Sequence, residues 1–111
     1  MDVKPNEIRE YLTVNGKNPF REWLCGHKDI ETRARIRVRI SRIRLGNYGD
    51  SKSVGDGVFE LRIPFGSGYR IYFGKDGNLV AILLCGGDKS TQKKDIQKAK
   101  EFWDDYKRRS I

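Results

Sequence analysis

The run FELRIPFGSGYRIYFG, from Phe59 to Gly74, brings together two arginines and a tyrosine in a pattern suited to handling a phosphate. Phe59, Leu61 and Ile63 alternate with Glu60, Arg62 and Pro64. Tyr69, Ile71 and Phe73 alternate with Arg70 and Tyr72. A period of two on either side of a Pro/Gly/Ser turn predicts a pair of strands. With the apolar set facing a core, Arg62, Arg70 and Tyr72 share the other face with Glu60. Neighbouring strands lie roughly 4.8 Å apart, so the two guanidinium groups converge on one small area. Lys89, leaving the end of the next strand, can join them. Arginine presents a planar fork of donors that matches phosphate oxygens. Tyrosine offers a ring on which a base stacks and a hydroxyl for a hydrogen bond or a proton. Basic groups interleaved with an aromatic are what single-stranded RNA recognition uses.

Such a site could also cleave RNA. It would orient a ribose 2′-hydroxyl toward the adjacent phosphate, and the arginines would stabilise the extra charge of the pentacovalent transition state. Tyr72, Lys89 and Glu60 are three candidates for the general base, and the sequence does not choose among them. The competing explanation is a plain Glu60–Arg62–Arg70 surface ion network, which is common and contributes little. No metal and no cofactor is expected. No acidic cluster stands at metal-ligand spacing, Cys25 and Cys85 belong to no CxxC pair, and His27 is the one histidine.

The elements that must position these residues follow from punctuation and periodicity. Ile8 to Val14 predicts a first strand, ended by the turn dipeptide Asn15-Gly16. Asn18-Pro19 reads as an N-cap and first helical position, with Phe20, Trp23, Leu24 and His27 at helical spacing. His27 is expected to end this helix and touch its last carbonyls. Asp29 can cap a second helix running to about Leu45 and closed by Gly46-Asn47. That stretch carries Arg33, Arg35, Arg37, Arg39, Arg42 and Arg44. Its alternation also fits a strand, but its length, its cap and the spacing of Ile36, Ile40 and Ile43 favour helix. Ala34, Val38 and Leu45 fall opposite the isoleucine stripe, so the helix has a second apolar side that must meet either the first helix or a partner protein.

The segment GNYGDSKSVGDG reads as a loop, and Lys75 to Asn78 as a hairpin turn. Leu79 to Cys85 is apolar without alternation, which predicts a strand buried on both faces. Ser90 or Thr91 then caps a last helix reaching about Arg109. Its stripe of Ile96, Ala99, Trp103 and Tyr106 should lie on the sheet, while Lys93, Lys94, Lys98 and Lys100 look outward. The expected class is α+β: a single domain over residues 1–111 with a twisted antiparallel sheet and helices mainly on one face.

The 111 residues carry 23 Lys plus Arg against 15 Asp plus Glu, a formal charge of +8, which predicts a nucleic acid, an acidic protein or an anionic surface as partner. The two cysteines are expected as buried free thiols in a reducing compartment. No apolar run is of membrane-spanning length and the first residues lack the apolar stretch of a signal peptide, so the expected location is cytoplasmic, with no membrane partner.

The chain resembles the RelE/HigB superfamily of toxins from bacterial toxin–antitoxin modules. It is most similar to the phage-associated branch of addiction-module killer proteins. The stretches that carry the resemblance are GNYGDSKSVGDGVFELRIPFGSGYRIYFG and LLCGGDKSTQKKDIQKAKEFW. The resemblance implies a RelE-like fold, with an N-terminal helix pair and a C-terminal helix on the sheet. It also implies metal-independent cutting of mRNA in the ribosome, and silencing by an acidic or helix-turn-helix antitoxin. The family's catalytic basic residues on the paired strands match Arg62 and Arg70, with Lys89 an approximate third. Tyr72 would stack on a base or assist proton transfer. Arg33 to Arg44, together with Lys93 and Lys94, would bind RNA or antitoxin. Where RelE has a tyrosine in its C-terminal segment, this chain offers Asp95, and the histidines of HigB-like sites have no counterpart, His27 being placed elsewhere. Two rivals share the fold: a ParE-like gyrase inhibitor that is no nuclease, and an inactive phage-associated binding protein.

Overall fold

The computed structural model describes residues 6–109. Strands β1 (Glu7–Glu10), β2 (Ser51–Gly55), β3 (Val58–Ile63), β4 (Tyr69–Asp76) and β5 (Val80–Asp88) form one sheet in the order β1-β5-β4-β3-β2. Helices α1 (Pro19–Gly26) and α2 (Ile30–Arg44) lie between β1 and β2 in the chain, and α3 (Gln92–Arg109) closes it. The class is α+β, consistent with a RelE-like fold. The sheet is mixed: β2 to β5 are antiparallel neighbours, whereas β1 runs parallel to β5. A helix pair separates β1 from the rest of the sheet, so β1 can enter in the parallel sense.

The helix ends are where local chemistry puts them. Asn18 accepts from the Arg21 backbone N–H at 2.9 Å, and Pro19 needs no donor at the first position. Asp29 caps α2 through the Glu31 N–H and the Thr32 hydroxyl. Helix wins over strand in the arginine-rich stretch because Ile36 and Ile43 are both buried on the core side. The cap of the last helical segment is Asp88 rather than Ser90 or Thr91. It accepts from the Ser90 N–H at 2.8 Å and opens a 3-10 turn over Lys89–Thr91 that runs into α3.

Three further expectations need correction. The first strand is shorter than Ile8 to Val14, because a turn from Thr13 to Gly16 draws the chain away after Tyr11. The Gly/Asp/Ser loop contains β2, an edge strand. Among the described residues it pairs with β3 alone, and it has a bulge between Ser53 and Gly55, so it carries no apolar alternation to reveal it. The helices do not gather on one face. Phe20, Leu24, Ile36 and Ile43 from the helix pair pack on Leu61, Ile63, Ile71, Phe73 and Leu83. Ala99 and Trp103 from α3 pack on Val58, Tyr72, Ile82, Leu84 and Cys85 on the opposite face. Gly74 permits this second layer: a Cβ there would stand 2.4 Å from the Trp103 ring. Of the two thiols, Cys85 is buried as expected and Cys25 is exposed. Among the described residues no helix is long and apolar enough to cross a membrane.

Candidate phosphate site

Register brings the two arginines together. Arg62 on β3 is the direct partner of Arg70 on β4, and Gly87 on β5 completes the row. The adjacent row on the same face is Glu60, Tyr72 and Cys85. Because α3 covers that face as far as this second row, the two rows differ sharply. The Arg62 side chain is 42% exposed and the Arg70 side chain 11%, whereas Glu60 and Tyr72 are fully buried.

This burial corrects the role expected of Tyr72. Its ring belongs to the α3 core and is closed to an incoming base. Its hydroxyl donates to Glu60 Oε2 at 3.1 Å. Burial, and then the Glu60 charge, push the phenol far above its ordinary pKa, so it holds its proton at neutral pH. Glu60 is equally out of reach as a base. Its Oε2 accepts from the Tyr72 hydroxyl and from the Gln92 side-chain amide at 2.9 Å, and pairs with the Arg70 guanidinium, whose Nε lies 3.6 Å away.

The arginines retain unused donors. Nε and Nη1 of Arg70 and Nε of Arg62 are enclosed without a hydrogen-bond partner. Beside them opens a cleft of about 210 Å³, lined by Asp50, Arg62, Ile63, Pro64, Gly68, Tyr69 and Arg70. Asp50 Oδ1 lies 3.6 Å from Arg62 Nε and is the carboxylate at the cleft's open side. Arg39 reaches over from α2 and donates to the Arg62 carbonyl at 3.1 Å, which ties the helix pair to this end of the sheet. Lys89 is exposed at the rim, its Cβ 3.9 Å from where a Cβ on Gly68 would stand. Each guanidinium has one carboxylate 3.6 Å from its Nε, Asp50 for Arg62 and Glu60 for Arg70, and the two neighbouring cations are further favoured around an anion.

The basic residues of α2 do not form one surface. Arg35, Arg39 and Arg42 line a groove of about 500 Å³ with Ala34, Val38, Ile63, Pro64 and Phe65. Arg37 and Arg44 line a different hollow against α1 and β1. Arg33 turns back to the His27 carbonyl. Lys93 and Lys94 are exposed on the first turn of α3. The His27 backbone N–H caps α1 at 3.4 Å from the Leu24 carbonyl, but its imidazole meets the last turn through the Trp23 ring and its Nε2 bonds none of the last carbonyls. It packs edge-on against Trp23 and Tyr69, with Nε2 buried and without a hydrogen-bond partner. Desolvation there lowers its pKa.

Gln92, Asp50 and Tyr69 are parts of the site that residue type alone did not single out. Asp95 covers the row's end: its carboxylate takes the Thr91 hydroxyl and packs so close over Gly87 that a Cβ there would lie 1.8 Å from Oδ2. Among the described residues no three His, Cys, Asp or Glu side chains are grouped to hold a metal ion.

Residues 27–104 match the family described as phage derived protein Gp49-like (DUF891). The chain is also similar to an uncharacterized protein of Haemophilus influenzae, 54% identical over 81 residues that span 73% of this chain and 82% of the relative. The matched span runs from the end of α1 to within α3 and holds both arginines of the cleft. The chain therefore belongs to the Gp49-like family of phage-derived proteins, a family of RelE/HigB-like toxins.

Proposed function

We propose that the protein is the toxin of a type II toxin–antitoxin module and acts as a ribosome-dependent mRNA endoribonuclease, of the addiction-module killer branch. The observation that carries this reading is the Arg62–Arg70 pair, set side by side on neighbouring strands and lining a cleft at the sheet end. A scissile phosphate in the cleft would be held by the two guanidinium groups. The 2′-hydroxyl gives its proton to solvent water as its oxygen bonds to phosphorus, the bond to the 5′-oxygen breaks to leave a 2′,3′-cyclic phosphate and a 5′-hydroxyl, and the arginines offset the added charge on the non-bridging oxygens. With Tyr72 and Glu60 buried, Lys89 is the one of the three proton-transfer candidates left at the surface. As an ammonium it suits protonation of the departing 5′-oxygen. The partners on this reading are mRNA and the ribosome as target, and an acidic or helix-turn-helix antitoxin as the neutralising protein.

The test is mRNA integrity in a translation reaction, with and without ribosomes. Ribosome-dependent cuts that vanish in Arg70→Lys support the reading. Lysine keeps the charge beside Glu60 but loses the planar fork. Intact mRNA with the wild-type protein rejects it. The burial of Tyr72 and Glu60 leaves few accessible acid–base groups, and this favours a second reading, a ParE-like gyrase inhibitor or an inert phage-associated binding protein. Damaged DNA with intact mRNA would select the first of these, and growth unaffected by the protein alone would select the second.

A further inference from the structure

We propose that Glu60 is the positioning residue of this site: Tyr72 and Gln92 hold its carboxylate, and the carboxylate holds the Arg70 guanidinium toward an anion in the cleft. The inference deepens the phosphate-binding reading above and rests on it.

Glu60 is fully buried. Two hydrogen-bond donors converge on its Oε2, the Tyr72 hydroxyl from β4 and the Gln92 amide from α3, and Arg70 Nε, also from β4, lies 3.6 Å away as its ion-pair partner. Its Oε1 has no partner. Stability alone does not account for such a group. A buried ion pair with incomplete hydrogen bonding is commonly matched or bettered by an apolar replacement of similar volume. Its position in the sheet supplies a reason. Glu60 stands in the row behind Arg62 and Arg70, on the α3 side, so its charge meets Arg70 from behind at Nε. That counter-charge lets two arginines stay neighbours before any ligand arrives, and it aims a long side chain that is otherwise free to rotate.

Gln92 is the first residue of α3, so seating of that helix is part of the arrangement. Asp95, one turn further, packs on Gly87 in the arginine row, where a side chain would lift the helix start away from the sheet.

The experiment is nitrogen-15 NMR of arginine side chains in the full chain, titrated with inorganic phosphate, for wild type and Glu60→Gln. The wild type is expected to show a resolved Arg70 Nε–H signal that moves on adding phosphate. In Glu60→Gln the backbone amide spectrum persists, while the Arg70 signal broadens and its response to phosphate falls by about tenfold or more in affinity. In the translation assay kcat falls by about tenfold to a hundredfold with KM nearly constant. Should Glu60→Gln fail to fold, Gln92→Ala, at a half-buried position, is expected to give the same changes in weaker form. A sharp, phosphate-responsive Arg70 signal in a folded variant overturns the positioning role, whatever the RNA assay shows. Intact mRNA with wild type, alongside an Arg70 signal that depends on Glu60, overturns the nuclease reading and supports the positioning role.

Discussion

Arg70 is the residue on which the chemistry and the packing both depend, and this makes the choice of substitution matter. Truncation to alanine would leave the fully buried Glu60 without its cation, at about 3–5 kcal/mol for an uncompensated buried charge. Loss of toxicity in Arg70→Ala would then confuse unfolding with lost catalysis. Arg70→Lys separates the two: the expected outcome is a melting temperature close to wild type and a fall in cleavage of about 10²–10³, as for removal of one transition-state donor. The pairing of Arg62 and Arg70 was readable from the period of two. The burial of Tyr72 was not, because alternation assigns it to the arginine face without saying how far α3 covers that face. The thiols give a second check on burial. Burial, and then the Asp95 charge, push Cys85 up to about 12, whereas Cys25 is exposed. Alkylation of the native protein at neutral pH should therefore modify one thiol, and of the unfolded protein two. The raised Cys85 pKa means that the folded state holds its proton longer than the unfolded one. This contribution is fully present below pH 9.0 and is lost as the pH rises toward about 12.

Helix α2 shows how an element can have two apolar sides and one core. Ile36 and Ile43 are buried, with Ile40 packed beside them. On the other side Val38 is 50% exposed and Leu45 75%, so α1 does not cover that side and one of the two expected outcomes is removed. What remains is the groove with Ile63, Pro64 and Phe65, rimmed by Arg35, Arg39 and Arg42 and by one acid, Glu31, 3.3 Å from Arg35, so that the rim keeps a net positive charge. Arg35 lies 4.4 Å from the centre of the Phe65 ring and occupies that aromatic face. A groove of aliphatic side chains with its one aromatic already stacked suits a polypeptide better than a nucleobase, and its charge suits an acidic one. If the proposed antitoxin docks here, Val38→Arg should weaken its binding by about tenfold or more in a calorimetric titration. The melting temperature should stay unchanged, because Val38 contributes little to the core. Unchanged affinity would move the antitoxin to another surface. The helix itself was legible from its cap and isoleucine spacing. Strand β2 was not, because an edge strand with a bulge and one bonded neighbour needs no apolar pattern.

Across the whole molecule, the two-sided covering of the sheet decides where the site lies. The helix pair and α3 bury opposite faces, and the arginine row lies where the α3 layer ends. Sequence periodicity cannot report on this, since an apolar stripe on a helix says that it packs and not on which face. The net charge of +8 acts at the same scale. Lysines and arginines spread over α2, α3 and the cleft rim favour any polyanion without selecting among sequences, while the cleft arginines act on one phosphate. The two contributions separate by salt. Affinity for single-stranded RNA should fall linearly on a log–log plot against salt, with a slope of about −0.7 per phosphate neutralised. Substituting Lys93 or Lys94 by alanine should flatten that slope while leaving cleavage at saturating RNA intact. Arg70→Lys, which keeps its charge, should leave the slope nearly unchanged and remove the cleavage. A slope that does not change with Lys93 or Lys94 would restrict RNA contact to the cleft and leave the basic surface of α3 to the protein partner.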